Sequence, residues 1–126
     1  MKHYDEPLER LLFALSGLRV PPTGSEYDLH ALIAASLTRG GFVVSHEAVL
    51  GPRCRIDFLV DGIGIEVKRG KPARKQLLEQ CGRYLSCDQV RVLVLVVEKT
   101  IRLPDSICGK PLIVFGLNRL WGVALP

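Results

Sequence analysis

An Asp-Gly pair at positions 61 and 62 constrains the fold of this chain more than any other feature. It separates two stretches, residues 53–60 and 63–68, in which apolar residues alternate with other residues. Asp-Gly between alternating apolar residues is the strongest short-range signal for a β-hairpin with a two-residue turn. The sequence therefore predicts two antiparallel strands that fold back on each other at Asp61 and Gly62.

The position of the turn fixes which residues face each other across the hairpin. One face is expected to be wholly apolar, with the pairs Val60 and Ile63, Phe58 and Ile65, and Ile56 and Val67. The other face carries the polar residues, with the pairs Leu59 and Gly64, Asp57 and Glu66, and Arg55 and Lys68.

The facing carboxylates of Asp57 and Glu66 are the unusual part of this pattern. Directly opposite residues of an antiparallel pair have Cβ atoms roughly 4.5–5.5 Å apart, and like charges there are destabilising. A divalent cation between the acids would remove that repulsion, and Lys68 lies two residues beyond Glu66, on the same face. Two acids and a lysine around one point are the groups that metal-assisted phosphodiester cleavage needs. The alternative is a solvated face whose charges are satisfied by Arg55 and Lys68.

Size and composition indicate one globular domain over residues 1–126. This length suffices for a single hydrophobic core, and an apolar content of 48% excludes a disordered chain. The 17 Lys and Arg exceed the 13 Asp and Glu, a mildly basic balance that is compatible with a phosphate-bearing partner. The N-terminus has no apolar run typical of a signal peptide, and the longest apolar stretch, residues 92–97, is too short to span a membrane. We therefore expect a soluble, intracellular, cytoplasmic protein with no membrane partner.

The cysteines and histidines do not have the spacing of a metal or catalytic motif. The four cysteines are expected to be free thiols of a reducing cytosol, and they are Cys54, Cys81, Cys87 and Cys108. The three histidines are expected to lie at the surface or in packing positions, and they are His3, His30 and His46.

Periodicity along the chain predicts three helices and a mixed sheet. The helices are expected over about residues 5–17, 25–39 and 70–86, and the strands over 42–50, the two arms of the hairpin, 90–97, 112–115 and 120–125. Residues 90–97 are nearly all β-branched or leucine, which is typical of a strand buried on both faces. The helix before them is expected to form a right-handed crossover to a parallel neighbour. The predicted fold class is α/β, a mixed central β-sheet flanked by helices.

Four elements together resemble the PD-(D/E)xK nuclease superfamily, in particular its RecB-like and junction-resolvase-like branches. They are Glu26 in the second helix, Asp57 in the hairpin, the triplet Glu66-Val67-Lys68, and the pattern Gln80-x-x-x-Tyr84 in the third helix. The match covers about residues 25–97, and Ile56 stands where the family name has proline. The resemblance implies a restriction-endonuclease-like fold with an αβββαβ core, a helical extension over about 5–17 and C-terminal strands over about 111–125.

The resemblance also implies roles for these residues. Asp57 and Glu66 would each give a carboxylate oxygen to Mg²⁺, for which Mn²⁺ is expected to substitute, and the Val67 carbonyl would be a third ligand. Lys68 would orient or help deprotonate the attacking water and stabilise the transition state. Glu26 would be a further ligand or would position Lys68. Alternatively, Glu26 belongs to a capping box that begins at Thr23, and a cap at Ser25 would leave it for the site.

Gln80 and Tyr84 lie four residues apart, on one helix face. The resemblance implies that they contact phosphate or brace the lysine; the alternative is a core tyrosine and a surface amide. Basic residues crowd the hairpin and the start of the third helix and are expected to contact the DNA backbone, unless they form an ordinary solvated face. They are Arg53, Arg55, Lys68, Arg69, Lys71, Arg74 and Lys75.

These observations predict a metal-dependent DNA nuclease, an endonuclease acting on structured or duplex DNA with little sequence specificity of its own. The chain has no room for a separate recognition domain, so a homodimer or a protein partner is expected to supply selectivity. The alternative is a non-catalytic nucleic-acid-binding or assembly subunit that keeps the fold. The sequence does not separate a role in DNA repair or recombination from one in defence.

Overall fold

The computed structural model describes residues 4–19 and 25–117 of the chain. Its helices are α1 (Glu6–Ser16), α2 (Glu26–Arg39) and α3 (Arg74–Leu85). Its strands are β1 (Ser45–Gly51), β2 (Cys54–Val60), β3 (Ile63–Lys68), β4 (Val92–Val97), β5 (Ser106–Ile107) and β6 (Lys110–Gly116). The fold is therefore mixed α/β, and the elements from α2 to β4 follow the expected order αβββαβ.

The strands form one mixed sheet in the order β1-β2-β3-β4-β6-β5. The pairs β1/β2, β2/β3 and β5/β6 are antiparallel, whereas β3/β4 and β4/β6 are parallel. Helix α3 makes the connection between β3 and its parallel neighbour β4, as the sequence predicts. The expected burial of residues 92–97 on both faces is confirmed, since all six are buried.

Two hydrophobic clusters pack against opposite faces of the sheet. Alternate residues of β4 divide between them: Val92, Val94 and Val96 pack with the buried leucines of α1 and α2, and Leu93, Leu95 and Val97 pack with α3. The sheet is thus a layer between α1 and α2 on one side and α3 on the other.

The starts of α1 and α2 follow from their capping residues. Asp5 accepts a hydrogen bond from the Leu8 N–H, and Ser25 and Asp28 form a reciprocal capping box. Glu26 therefore takes no part in the cap of α2. Helix α3 begins at Arg74, later than expected from the sequence, because Gly70 has a φ of 83° and Pro72 follows it.

The hairpin turns at Asp61 and Gly62, which have φ values of 51° and 77°. Two left-handed residues in succession are typical of a type I′ turn, whose twist matches that of the strands. The first three pairs of the register are confirmed, and they are Val60 with Ile63, Leu59 with Gly64, and Phe58 with Ile65.

Beyond Phe58 the predicted hairpin register is wrong. The β2/β3 ladder ends there, so Asp57, Ile56 and Arg55 are not in backbone register with residues 66–68. Ile56 also leaves the apolar face of Phe58 and Val60, since it packs in the cluster on the α3 side. Strand β1, which pairs with the other side of β2, is also irregular at this level, since its residue Glu47 has a φ of 56°.

Two further elements, β1 and β5, differ from the sequence-based expectation. Strand β1 begins at Ser45 rather than at residue 42, because Phe42 packs under the guanidinium of Arg10 and donates its N–H to the Leu37 carbonyl. The two-residue strand β5 was not predicted, since it is too short to show a periodicity. The strand expected over residues 120–125 lies outside the described residues.

Gly64 lies where the hairpin packs against the α3 side of the core. A Cβ at this position would lie 2.6 Å from Ile56 Cδ1 and 3.2 Å from Val90 Cγ1. We expect Gly64→Ala to lower the free energy of unfolding by about 1–3 kcal/mol, because the core must shift to admit a methyl group. Gly82→Ala in α3 is the matched control: it meets nothing within 4 Å and should stabilise the protein by about 0.5–1 kcal/mol. Urea denaturation measures both, and equal effects would contradict the prediction.

Among the described residues, no helix has the length and apolar content needed to cross a membrane.

Candidate functional site

The β2/β3 ladder opens at Asp57 because two carboxylates take the place of backbone carbonyls. The Val67 N–H donates to Asp57 Oδ2 at 2.8 Å, and the Asp57 N–H donates to Glu66 Oε1 at 3.2 Å. Each acid therefore lies between the strands and bonds to the opposite backbone. The expectation that Asp57 and Glu66 lie close together is confirmed, through side-chain insertion rather than through a regular ladder.

The backbone of Val67 faces the same opening. The N–H and C=O of a residue in an extended strand point to the same side, and the Val67 N–H points to Asp57. Its carbonyl is therefore directed toward the acids, whereas the Lys68 carbonyl accepts from the Glu98 N–H on the other side of the strand. The Val67 carbonyl must point toward the acids in this way if it is to share a metal ion with them.

Glu66 is buried among polar groups. Its Oε2 lies 3.3 Å from Lys68 Nζ and accepts from Gln80 Nε2 at 3.3 Å. Burial, and then the charge of Asp57, raise the pKa of Glu66 to about 7, although Lys68 acts in the opposite direction. Burial is also the largest cause of the raised pKa of Asp57. The positive charge of Lys68 is thus too small an effect to bring the pKa values of the two carboxylates back to their ordinary range.

The donor set fits a small, hard divalent cation. Two carboxylates and one backbone carbonyl are oxygen ligands, the type that Mg²⁺ and Mn²⁺ prefer. Burial is the largest cause of the raised pKa values of both acids, and repulsion from a neighbouring carboxylate, which a positive charge would offset, adds to it. A divalent cation would supply that charge. Lys68 is close enough to the two acids to contact a molecule bound to that cation.

Gln80 and Tyr84 form a chain of hydrogen bonds behind Glu66. Gln80 Nε2 donates to Tyr84 Oη at 2.9 Å as well as to Glu66, and Tyr84 Oη donates to the Arg55 carbonyl at 3.0 Å. Tyr84 is only 3% exposed, so its direct contact with DNA is excluded and it acts as a brace within the core. Gln80 is not an ordinary surface amide, because it joins this brace to the acid.

This brace predicts the effect of Tyr84→Phe. The change removes the hydroxyl that donates to the Arg55 carbonyl and the shorter of the two hydrogen bonds that Gln80 donates, and we expect a loss of about 1–3 kcal/mol in the free energy of unfolding. Tyr27→Phe is the control, since Tyr27 lies in α2 and is 80% exposed. Thermal and urea unfolding of the two variants measure the difference, and an unchanged stability of Tyr84→Phe would contradict the prediction.

His30 lies against Asp57, although the sequence indicates only a surface or packing position for it. It is buried in α2, with Nε2 3.4 Å from Asp57 Oδ2 and 3.7 Å from Glu26 Oε2. Among the described residues, Nε2 has no hydrogen-bond partner of good geometry. The signal that could have revealed it is its spacing of four residues from Glu26, which puts both on one helix face.

Glu26 lies at the rim rather than in the centre. Its side chain is 53% exposed, and its Oε2 lies 3.7 Å from His30 Nε2. Its negative charge contributes to the raised pKa of Asp57. The structure thus places Glu26 near Asp57, but it does not bring it to Lys68.

The predicted basic residues do not all point to the acids. Arg55 is exposed and pairs with Glu47 at 3.4 Å, and Arg74 Nε donates to the Arg102 carbonyl at 3.2 Å. Lys71 and Arg53 are exposed and Arg69 is half-buried. Two of the predicted basic side chains, Arg55 and Arg74, thus have partners other than the two acids.

A surface pocket of about 350 Å³ lies directly beside Lys68. Its polar lining comes from two basic, two amide and one acidic side chain, which are Lys68, Arg83, Gln76, Gln80 and Glu79. The exposed Arg83 was not singled out from the sequence, because it lies two turns beyond the basic run in α3. The pocket gives a phosphate group access to Lys68 from the side of α3.

The chain matches no protein-family model, and no curated protein or solved structure is similar enough to it to count as a match. What the site can do is therefore inferred from its geometry alone.

Proposed function

We propose that this protein is a divalent-cation-dependent nuclease that hydrolyses phosphodiester bonds in DNA, built on the plan of the PD-(D/E)xK superfamily. The supporting observation is the arrangement of Asp57, Glu66 and Lys68 where β2 and β3 separate. The two acids are held between the strands, and Lys68 Nζ is 3.3 Å from Glu66. Neighbouring carboxylates whose pKa values are raised by burial are common at functional sites.

Asp57, Glu66 and the Val67 carbonyl would hold Mg²⁺, and Mn²⁺ in its place. When bound, the cation would activate water as the nucleophile and neutralise charge on the scissile phosphate.

The protein's own groups position the reaction. The Val67 N–H and the neighbouring His30 ring orient Asp57, and Gln80, held by Tyr84, orients Glu66. Lys68 Nζ lies 3.3 Å from Glu66 and can donate a hydrogen bond to a phosphate oxygen, where negative charge grows in the transition state. Preorganised donors of this kind need no rearrangement when the charge develops.

Exposed cations around the opening would hold the DNA backbone. Arg53, Lys71 and Arg83 are exposed, and Arg83 lines the pocket beside Lys68. Contacts of this kind bind phosphates and do not read bases. The proposal is therefore an endonuclease for duplex or structured DNA with little sequence specificity, whose selectivity comes from a homodimer or from a protein partner.

The test is a cleavage assay on supercoiled plasmid, linear duplex, single strands and a four-way junction. We expect cleavage with Mg²⁺ or Mn²⁺ and none with EDTA. A covalently closed circle distinguishes an endonuclease from an exonuclease, because it has no ends. Cleavage that persists in EDTA would overturn the proposal, and DNA binding without cleavage would favour the non-catalytic binding subunit.

A further inference from the structure

A second group of metal-binding side chains lies on the other side of the His30 ring. His30 Nδ1 faces His46 Nε2 at 3.3 Å, and Glu47 follows His46 in β1. One ligand atom from each of these three residues lies within 4.8 Å of the other two. Two imidazoles and a carboxylate thus converge at a point that the proposed nuclease chemistry does not use.

The surroundings of His30 favour a lone pair on Nδ1. Its Nε2 lies 3.4 Å from Asp57 and 3.7 Å from Glu26, and both are carboxylates that accept but do not donate when ionised. Nε2 makes no hydrogen bond of good geometry to either acid, but a proton on Nε2 is the form that two neighbouring carboxylates favour. In neutral histidine the other nitrogen then carries the lone pair, and this nitrogen is directed to His46.

His46 is held in a fixed orientation for the same point. Its ring stacks on Phe58, with centroids 4.7 Å apart and an interplanar angle of 13°. Phe58 is fully buried, so it is a rigid support. The approach of the two ring nitrogens therefore depends on the exposed His46 ring keeping its stacking on this support.

The distance between the nitrogens suits a tetrahedral cation. Two ligands with metal–nitrogen bonds of about 2.0–2.1 Å and a tetrahedral angle are about 3.3 Å apart. The observed separation is 3.3 Å. A hydrogen bond between the two rings would give a similar nitrogen–nitrogen distance. A third ligand is therefore needed to distinguish a metal site from a hydrogen bond.

The backbone of Glu47 brings that third ligand to the histidines. In a regular strand, consecutive side chains point to opposite faces. Glu47 instead has a φ of 56°, and its carboxylate reaches the same point as the His46 ring. Arg55 pairs with Oε1 of Glu47 at 3.4 Å, which leaves the other oxygen for a ligand.

We propose that His30, His46 and Glu47 form a site for a transition-metal cation of the Zn²⁺ class, with the fourth position open to water. Imidazole nitrogens favour Zn²⁺, Co²⁺ or Ni²⁺ over Mg²⁺, which prefers oxygen ligands. Asp57 would be the carboxylate behind the ligating His30, an arrangement common in zinc proteins. This inference does not depend on the proposed nuclease activity.

The experiment uses metal-free protein without a histidine tag, in excess Mg²⁺ to saturate oxygen-ligand sites. Co²⁺ is titrated and followed by its visible absorption, which is intense for tetrahedral and weak for octahedral coordination. We expect one equivalent to bind with intense bands. His46→Ala should weaken binding at least 100-fold and Glu47→Gln about tenfold. Glu9→Gln, an exposed acid in α1, should leave the titration unchanged.

A thermal-unfolding measurement completes the test. Zn²⁺ should raise the unfolding temperature of the wild type and not that of His46→Ala, and His46 is exposed enough for the variant to fold. Binding that survives His46→Ala but is lost in Glu66→Gln would locate the cation between β2 and β3 and overturn the proposal. The absence of Co²⁺ binding would also overturn it and would identify the ring contact as a hydrogen bond only.

Discussion

Asp57→Asn should lower the rate of Mg²⁺-dependent DNA cleavage on the order of 10³-fold, because several kcal/mol of transition-state stabilisation depend on a fully charged ligand. Asparagine keeps the size of the side chain, and its carbonyl can still accept the Val67 N–H that Asp57 accepts. The loss should therefore come from chemistry and not from unfolding. Initial rates of plasmid nicking, together with a circular dichroism melt, separate the two effects.

Lys68→Ala should lower the same rate by about 10²–10³-fold, the usual effect of removing one preorganised donor to a developing negative charge. DNA affinity should change much less, because other exposed cations provide most of the backbone contacts. Asp88→Asn, an exposed acid before β4, is the matched control and should cleave at the wild-type rate. Wild-type activity in either Asp57→Asn or Lys68→Ala would end the nuclease proposal.

The metal-free protein should lose up to about 3 kcal/mol of its stability as the pH rises from about 4.5 to 7, because of Glu66. The pKa of this group is 4.5 in ordinary surroundings and about 7 in the fold. Between those values the folded state binds more protons than the unfolded state, so raising the pH favours unfolding. The raised pKa of Asp57 acts in the same direction.

Glu66→Gln isolates this effect because it removes the ionisation and keeps the shape. The free energy of unfolding, measured with urea across this pH range in EDTA, should fall less steeply for the variant than for the wild type. Glu79→Gln, an exposed acid in α3, should retain the wild-type slope. Mg²⁺ should stabilise the wild type at about pH 8, where both acids are ionised, but should have little effect on Glu66→Gln. Identical pH profiles for the variant and the wild type would contradict the pKa assigned to Glu66.

The predictions that depended on local chemistry were correct. The turn at Asp61 and Gly62 requires two left-handed residues, a local property that is readable without a structure. The capping box at Ser25 and the two-sided burial of residues 92–97 are likewise encoded within a few residues. For the same reason, the proximity of Asp57 and Glu66 followed from counting outward from the turn.

The predictions that failed depended on distant parts of the chain. Counting assumes a regular ladder, and nothing within residues 53–68 shows that side chains will replace its hydrogen bonds beyond Phe58. Ile56 changes sides for the same reason. The position of His30 next to Asp57 depends on how α2 rotates against the sheet, and one amphipathic helix does not specify that rotation for a polar residue.

The inserted carboxylates hold the two strands together and also face the other polar groups of the site. Asp57 Oδ2 and Glu66 Oε1 accept backbone N–H groups, whereas Glu66 Oε2 faces Lys68 and Gln80. Replacing either acid with a side chain that cannot accept a hydrogen bond therefore also breaks the contact between β2 and β3 at this end of the hairpin. In a related protein that has lost cleavage but keeps this fold, we therefore expect Asn or Gln at these two positions. An amide oxygen can still accept the backbone N–H, whereas alanine would remove both the hydrogen bond and the charge.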